Sequence, residues 1–302
     1  MKCLLIYYTG TYNTRYLSRL LKARMEADGA SVTLYELDPL KPEKLELTPY
    51  DTVGLGYPIY GFNTPCPFLK FVRKQTFPKG IRAFIYKNSG ETYHANDASS
   101  VNLVRKLRRD GAVIENEYHF IMPYNIHFRF DEALVREMLT VDDLLLDILV
   151  KEVMSGIPNI KKYRFIHRVV TFFVKLQYIG GDVNSFFYKV KEDQCVGCGK
   201  CVRNCPTHNI YKNEDGKIRF RHNCLMCMRC SINCPTDAIR IGLLDTWGWR
   251  VNGPYDFESI RRLPPAEPII TELTEGFFKC YVETYREVRR RHEELFGKME
   301  ND

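Results

Sequence analysis

Residues 195–210 have the sequence CVGCGKCVRNCPTHNI, and residues 224–239 repeat it in register as CLMCMRCSINCPTDAI. Each copy spaces its four cysteines as C-x2-C-x2-C-x3-C and places a proline directly after the fourth. Three thiolates this close together can wrap one iron–sulfur cube, while the fourth points away and, in two-cluster arrangements, binds the other cube. The repeat therefore predicts two [4Fe–4S] clusters, whose ligands are Cys195, Cys198, Cys201, Cys205, Cys224, Cys227, Cys230 and Cys234.

The predicted ligand sets cross between the two copies. The first three cysteines of each copy share a cluster with the fourth cysteine of the other, which gives the sets Cys195, Cys198, Cys201 and Cys234, and Cys224, Cys227, Cys230 and Cys205. Coordination by thiolates alone favours low-potential one-electron transfer. Zinc is the alternative, since it also accepts four cysteines. Zinc sites, however, typically join two C-x2-C knuckles across a longer loop, whereas each copy here holds four closely spaced cysteines.

The length allows two domains, or one domain with a substantial appendage, and the charge and apolar content indicate no membrane span. The chain has 302 residues, a formal net charge of +7 and 11 cysteines. The apolar run at residues 1–8 is too short for a secretory signal, and residues 163–180 contain several cationic side chains, so we expect a cytoplasmic protein. In a reducing compartment, many cysteines favour metal binding over disulfides. We find no nucleic-acid reading motif and expect no nucleic-acid partner.

The first half of the chain alternates strand-like and helical segments. Short apolar runs at residues 3–8, 31–35, 52–57, 81–86 and 113–122 are separated by helical patterns. Strands separated by helices in this way form a parallel sheet that is covered on both faces. We therefore predict an α/β, doubly wound parallel sheet over residues 1–155, a helical linker over 156–190, a small α+β cluster-binding domain over 191–245, and a tail with a packing helix over 246–302.

The linker carries a basic stripe, in which Lys161, Arg164, Arg168, Thr171 and Lys175 recur every three or four residues. Nearly every other side chain there is aromatic or β-branched. This pattern predicts a helix with a broad apolar face that is buried against another domain or a partner. Its charges could dock an acidic electron donor.

The first predicted strand runs into Thr9-Gly10-Thr11-Tyr12-Asn13-Thr14 and then into a helix. Hydroxyls and backbone N–H groups at the amino terminus of a helix suit a phosphate monoester, although such residues also occur as simple helix caps. Two further loops follow predicted strands: Pro58-Ile59-Tyr60-Gly61-Phe62-Asn63 and Asn88-Ser89-Gly90-Glu91. In doubly wound sheets, ligands sit at such carboxyl ends of strands.

Residues 1–155 resemble flavodoxins in element order and in the first loop, which in that family has the pattern T/S-G-T-G-N-T and holds the phosphate of FMN. The resemblance implies that the two later loops flank the isoalloxazine ring. The cysteine-rich repeat resembles bacterial ferredoxins with two [4Fe–4S] clusters. The whole chain resembles the flavodoxin–ferredoxin fusion proteins of anaerobic bacteria and archaea.

Tyr12 departs from the flavodoxin pattern, because it stands where that loop usually has glycine. If the backbone needs a positive φ there, tyrosine is costly, and its ring could crowd the phosphate. The alternative is a flavodoxin fold that has lost its flavin and serves as a scaffold. Thr9, Thr11, Asn13 and Thr14 still supply polar groups for FMN.

Two functions follow from these predictions. In the first, the chain transfers electrons, since clusters move single electrons whereas a flavin takes one or two. In the second, it is an FMN-dependent reductase of an organic acceptor, fed by the clusters. A purely structural role of the clusters is a third, weaker possibility. No nucleotide-binding G-x-G-x-x-G turn follows a strand, so we expect the partner to be a redox protein such as a ferredoxin. Glu91, Tyr93 and His94 could donate protons, but polar loop residues are usually just solvated, and we assign no catalytic residue.

Overall fold

The structure is a computed structural model that describes residues 1–160, 176–248, 251, 253–264 and 267–297. The predicted basic stripe at residues 161–175 lies outside the described residues. Within the described ranges, no helix combines the length and apolarity that crossing a bilayer needs.

Five parallel strands form the central sheet in the order β2-β1-β3-β4-β5. Their near-continuous apolar runs are typical of parallel strands that are covered on both faces. The strand order is that of the flavodoxin-like doubly wound fold. It confirms the predicted α/β class. The strands are β1 (Lys2–Tyr7), β2 (Ser31–Glu36), β3 (Thr52–Pro58), β4 (Arg82–Ser89) and β5 (Val113–Ile121).

Helices cover both faces of this sheet. On one face, α1 (Asn13–Ala27) and α4 (Glu132–Ser155) share a buried apolar core with β1 and β5. On the other face, α2 (Cys66–Lys74) and α3 (Val101–Asp110) pack against the opposite sides of β1, β3 and β4. Because each strand alternates its side chains between the two faces, one sheet supports both cores.

The duplicated cysteine segment folds into two similar halves after α5 (Leu176–Ser185) and β6 (Lys189–Val190). The short helices α6 (Lys200–Arg203) and α7 (Arg229–Ile232) are 29 positions apart, as Cys195 and Cys224 are. Between these helices, β7 (Ile210–Lys212) pairs antiparallel with β8 (Ile218–Phe220). After the second helix, β9 (Ile239–Arg240) pairs antiparallel with β6. The sequence repeat is thus also a structural repeat.

The tail packs on the first half of the chain. It contains α8 (Leu243–Thr246), α9 (Phe257–Arg261) and α10 (Lys279–Phe296). Residues of α9 and α10 enter the same buried core as α1 and α4. Ion pairs of Arg261 with Asp143 and of Arg291 with Glu152 fasten both helices to α4. The tail therefore completes the core on that face of the sheet.

Candidate functional site

A cavity of about 350 Å³ lies at the carboxyl ends of the central strands. This volume is in the range of small-molecule sites. The structure brings all three predicted loops to this one cavity. The predicted residues that line it are Thr11, Asn13, Pro58, Ile59, Tyr60, Gly61, Phe62, Asn88, Ser89, Gly90 and Glu91. The other predicted loop residues, which do not belong to its lining, are Thr9, Gly10, Tyr12, Asn63 and Thr14.

The first loop has a left-handed backbone at Tyr12. Tyr12 has φ 78° and ψ −10°, in the left-handed region where glycine is favoured. Its N–H donates to Thr9 Oγ1 at 2.9 Å, and α1 begins at the next residue. A left-handed residue that is not glycine costs about 1–2 kcal/mol. The Arg15 guanidinium lies 4.6 Å from the centre of the Tyr12 ring, a cation–π contact that holds the ring against α1.

Two polar side chains of this loop, those of Asn13 and Thr14, form hydrogen bonds to neighbouring loops. Thr14 Oγ1 donates to Asn88 Oδ1 at 2.8 Å and joins the first loop to the third. Asn13 Nδ2 donates to the carbonyl of Pro123 at 3.0 Å. Thr11 lines the cavity and is 6% exposed, and among the described residues no hydrogen-bond partner faces its hydroxyl. Thr11 and the amino terminus of α1 therefore remain to bind an anion.

A fourth loop, Met122 to His127, also lines the cavity. Its position follows from the fold, since it leaves the carboxyl end of β5, although no phosphate- or flavin-like pattern marks it in the sequence. The Tyr124 ring packs on Gly90 so closely that a Cβ at Gly90 would lie 2.4 Å from Tyr124 Cδ1. From α10, the Tyr281 hydroxyl donates to the Gly90 carbonyl. The third loop is thus held from two sides.

The three candidate proton donors, Glu91, Tyr93 and His94, differ in whether they line the cavity. Glu91 and Tyr93 line the cavity, whereas the His94 side chain is 81% exposed and is not part of the lining. Burial raises the pKa of Glu91, and hydrogen bonds from Tyr124 and Asn96 oppose this rise. Beneath this loop, the buried Lys87 Nζ donates to the carbonyls of Asn96 and Asp97, both at 2.9 Å. A fully hydrogen-bonded lysine of this kind braces the loop.

The cysteine-rich half supplies the remaining wall of the cavity, namely Cys224 to Met228 and Leu244. Next to this wall, Arg229 Nε donates to the Gly10 carbonyl at 3.0 Å, and its Nη2 donates to the Thr9 carbonyl. Gly10 is required here, because a Cβ would lie 2.0 Å from Tyr60 Oη and 3.2 Å from the Cys227 carbonyl oxygen. Sequence reasoning missed this wall and Arg229, which no local pattern marks.

None of the eight cysteines of the repeat is in a disulfide. Burial raises the pKa of Cys201, and the neighbouring charges of Cys234, Cys195 and Cys198 raise it further. The crossed assignment of the eight cysteines to two ligand sets stays a prediction.

Burial acts in the same way on thiols of the second copy. Burial raises the pKa of Cys224 to about 12, and the charges of Cys227 and Cys205 contribute. Burial also raises the pKa of Cys230, and the charges of Cys227, Cys224, Cys205 and Cys201 add to this rise. Four thiolates are the donor set of a [4Fe–4S] cube, and the sequence repeat supplies two such sets. Within the described ranges, no three His, Cys, Asp or Glu side chains are arranged to hold a single metal ion.

Backbone amides support equivalent sulfurs in the two copies. Asn209 N–H donates to Cys205 Sγ, and Ala238 N–H donates to Cys234 Sγ, both at 3.2 Å. Hydrogen bonds to ligand sulfurs stabilise negative charge on a cluster and raise its reduction potential.

Residues 194–239 match the family model described as a 4Fe-4S dicluster domain. Among solved structures, a flavodoxin from the domain Archaea is 15% identical with a TM-score of 0.34, and the match covers 40% of this chain and 85% of that one. A flavodoxin of Streptococcus pneumoniae TIGR4 is 14% identical with a TM-score of 0.38, covering 52% and 100%. Flavodoxin 1 of Bacillus cereus is 18% identical with a TM-score of 0.34, covering 41% and 88%. No curated protein matches the chain.

The strand order and the family match together establish the architecture. A flavodoxin-like domain precedes a 4Fe-4S dicluster domain, as in flavodoxin–ferredoxin fusion proteins. Residues 194–239 therefore carry the sequence of an iron–sulfur domain.

Proposed function

We propose that this chain is an iron–sulfur flavoprotein that carries electrons between one-electron donors and FMN through two [4Fe–4S] clusters. The observation that carries the proposal is the composition of a single cavity. The three flavodoxin-like loops line it on one side, and Cys224 and Cys227 line it on the other. Two predicted cofactor sites thus share one wall.

The residues of the cavity suit FMN. The amino terminus of α1 and the Thr11 hydroxyl would hold the phosphate, because unpaired N–H groups and a free hydroxyl converge there. The loop Ile59 to Phe62 and the loop Asn88 to Glu91 would hold the isoalloxazine ring between them. Tyr12 has a positive φ in this loop, and its ring contacts the Arg15 guanidinium.

The clusters would be held by the two ligand sets that the sequence repeat predicts. The first set is Cys195, Cys198, Cys201 and Cys234, and the second is Cys224, Cys227, Cys230 and Cys205. When bound, the clusters supply one-electron transfer, and FMN supplies one- or two-electron chemistry. Arg229 fastens the second set to the first loop, so this chain orients its two cofactor sites toward each other.

A second candidate is an FMN-dependent reductase of an organic acceptor, and Glu91 favours it. The Glu91 carboxyl lies on the cavity lining, and burial raises its pKa, so it keeps its proton to a higher pH than an exposed glutamate does. Such a group can donate a proton to a reduced acceptor. Replacement by Gln would abolish a proton-dependent reduction and leave electron transfer to FMN intact.

Anaerobic purification tests the main proposal. The protein should contain about eight iron, about eight acid-labile sulfides and one extractable FMN per chain. Reduction of the clusters by dithionite should be reversible, and the flavin absorbance should bleach with them. Stoichiometric zinc without sulfide would contradict the clusters. A protein with intact clusters that carries no flavin and takes up none would contradict the flavin, and would leave a ferredoxin with an attached protein-binding domain.

A further inference from the structure

The two copies of the cysteine motif differ in what covers them. In the second copy, Leu225 and Cys227 line the cavity against the flavodoxin-like half. In the first copy, the equivalent Val196 is 65% exposed, and Cys198 is also exposed. One ligand set therefore faces the candidate flavin site, and the other reaches the surface. An exposed ligand loop with an apolar tip is where a redox partner can approach a cluster closely.

Three cations surround this exposed loop. Lys212 Nζ donates to the Gly197 carbonyl at 3.1 Å. A Cβ at Gly199 would lie 3.0 Å from Arg203 Nη1 and 3.8 Å from Lys212 Cε. Lys200, the next residue, is exposed. Among the described residues, no carboxylate forms an ion pair with Lys200, Arg203 or Lys212. We call Val196, Gly197, Cys198 and these three cations the first-cluster face.

We propose that the first-cluster face docks an acidic one-electron carrier protein, an inference that rests on the proposed function. An apolar centre with a charged rim is the common anatomy of a protein interface, and small interfaces of this kind suit transient redox encounters. Unpaired cations steer an acidic partner and raise its rate of association at low ionic strength. A second copy of this chain that approached through its own first-cluster face would meet the same positive charge and be repelled.

Charge reversal at two of the cations tests the proposal, with a matched pair as control. Lys200→Glu/Lys212→Glu reverses charge on the face. Lys79→Glu/Lys151→Glu makes the same net change at the amino-end edge of the sheet, where both lysines are exposed. The probe is a reduced acidic two-[4Fe–4S] ferredoxin, and stopped-flow absorbance follows reduction of the chain. At low ionic strength we expect the face variant to be reduced at least about tenfold more slowly, with a flattened salt dependence. The control should stay within about twofold of the wild type.

Further measurements separate the possible failures. Iron content and the cluster spectrum must equal those of the wild type, and the milder Lys200→Gln/Lys212→Gln should give a smaller change in the same direction. Photoreduction by a small deazaflavin donor should be equal in all variants. If the small donor reduces wild-type clusters and flavin while charge reversal leaves the ferredoxin rate unchanged, the docking proposal is wrong and the proposed function stands. If no donor reduces the wild type, the proposed function fails. A shifted cluster potential with an unchanged salt dependence would mean that the cations only balance the charge of the cluster, which overturns docking.

Discussion

Arg229→Met removes the contact that joins the second cluster-binding loop to the predicted phosphate loop. In the wild type, Arg229 Nε lies 3.0 Å from the Gly10 carbonyl oxygen, and Nη2 donates to the Thr9 carbonyl. The guanidinium also lies 5.8 Å from the centre of the Tyr8 ring. Methionine keeps the length and the apolar stem but has no donor. We expect the variant to bind FMN more weakly and to keep its clusters.

The size of the effect follows from these contacts. A hydrogen bond from a charged donor contributes about 1.5–3 kcal/mol, so two of them set an upper limit of about 3–6 kcal/mol. Arg229 is only half-buried, and water can replace part of what is lost. We therefore expect a loss of about 2 kcal/mol in the free energy of FMN binding. This corresponds to a dissociation constant about 30 times higher. Part of the loss is electrostatic, because the phosphate loses a nearby cation.

Quenching of FMN fluorescence on titration with flavin-stripped, cluster-loaded protein measures this constant. Lys200 is the matched control, since it stands before the third cysteine of the first copy as Arg229 does in the second, but it is exposed. Lys200→Met should leave FMN binding unchanged, and Arg229→Lys should give an intermediate loss. Binding by Arg229→Met within about twofold of the wild type, or an equal loss in both methionine variants, would refute the reasoning.

Three further predictions concern the ligands and the first loop. Cys205→Ser should damage the cluster held by the second copy and leave the first intact, as read by iron content and by the number of paramagnetic centres after reduction; selective loss of the first cluster would reverse the assignment. Tyr12→Gly removes a strained residue with φ 78°, so FMN should bind as tightly or more tightly, and a clear loss of affinity would mean that the Tyr12–Arg15 contact supports the site. Thr11→Ala should weaken FMN binding by roughly 1–3 kcal/mol because it removes a free hydroxyl from the cavity, whereas the same substitution at Thr14 breaks a brace to Asn88 and should also lower the melting temperature.

The sheet and the cysteine repeat could be predicted because their signals are local. Strand β4 is an apolar run bounded by turns, and the predicted residues 81–86 overlap the observed Arg82–Ser89. The repeat is a fixed spacing of cysteines, and this spacing can be read from the sequence without any knowledge of the fold. The sequence also marks Tyr12 as a departure from the loop pattern, while its positive φ is seen only in the structure.

The shared wall of the cavity could not be predicted, because it depends on contacts between distant residues. Arg229 meets carbonyls of Thr9 and Gly10 that are more than two hundred residues away in the chain. A single arginine inside a metal motif has no periodicity that would mark such a role. The loop from Met122 to His127 was missed for a related reason: it has no ligand-like pattern, and only the strand order places it beside the other three.

The second copy of the motif has methionine at two positions with left-handed backbone, and its place in the fold explains this. Gly197 and Gly199 have φ 66° and 68° in the first copy, and their equivalents Met226 and Met228 keep φ 53° and 56°. Each left-handed methionine costs about 1–2 kcal/mol relative to glycine. Both methionines line the cavity, and Met228 is 4% exposed in an apolar cluster of the second half, where burial of such a side chain contributes about 1.5–3 kcal/mol. Burial can therefore offset the strain in the second copy, whereas Gly197 of the first copy is exposed, and a side chain there would meet no neighbouring atom within 4 Å of its Cβ. The copy that departs from glycine is the one that forms the wall between the two candidate cofactor sites.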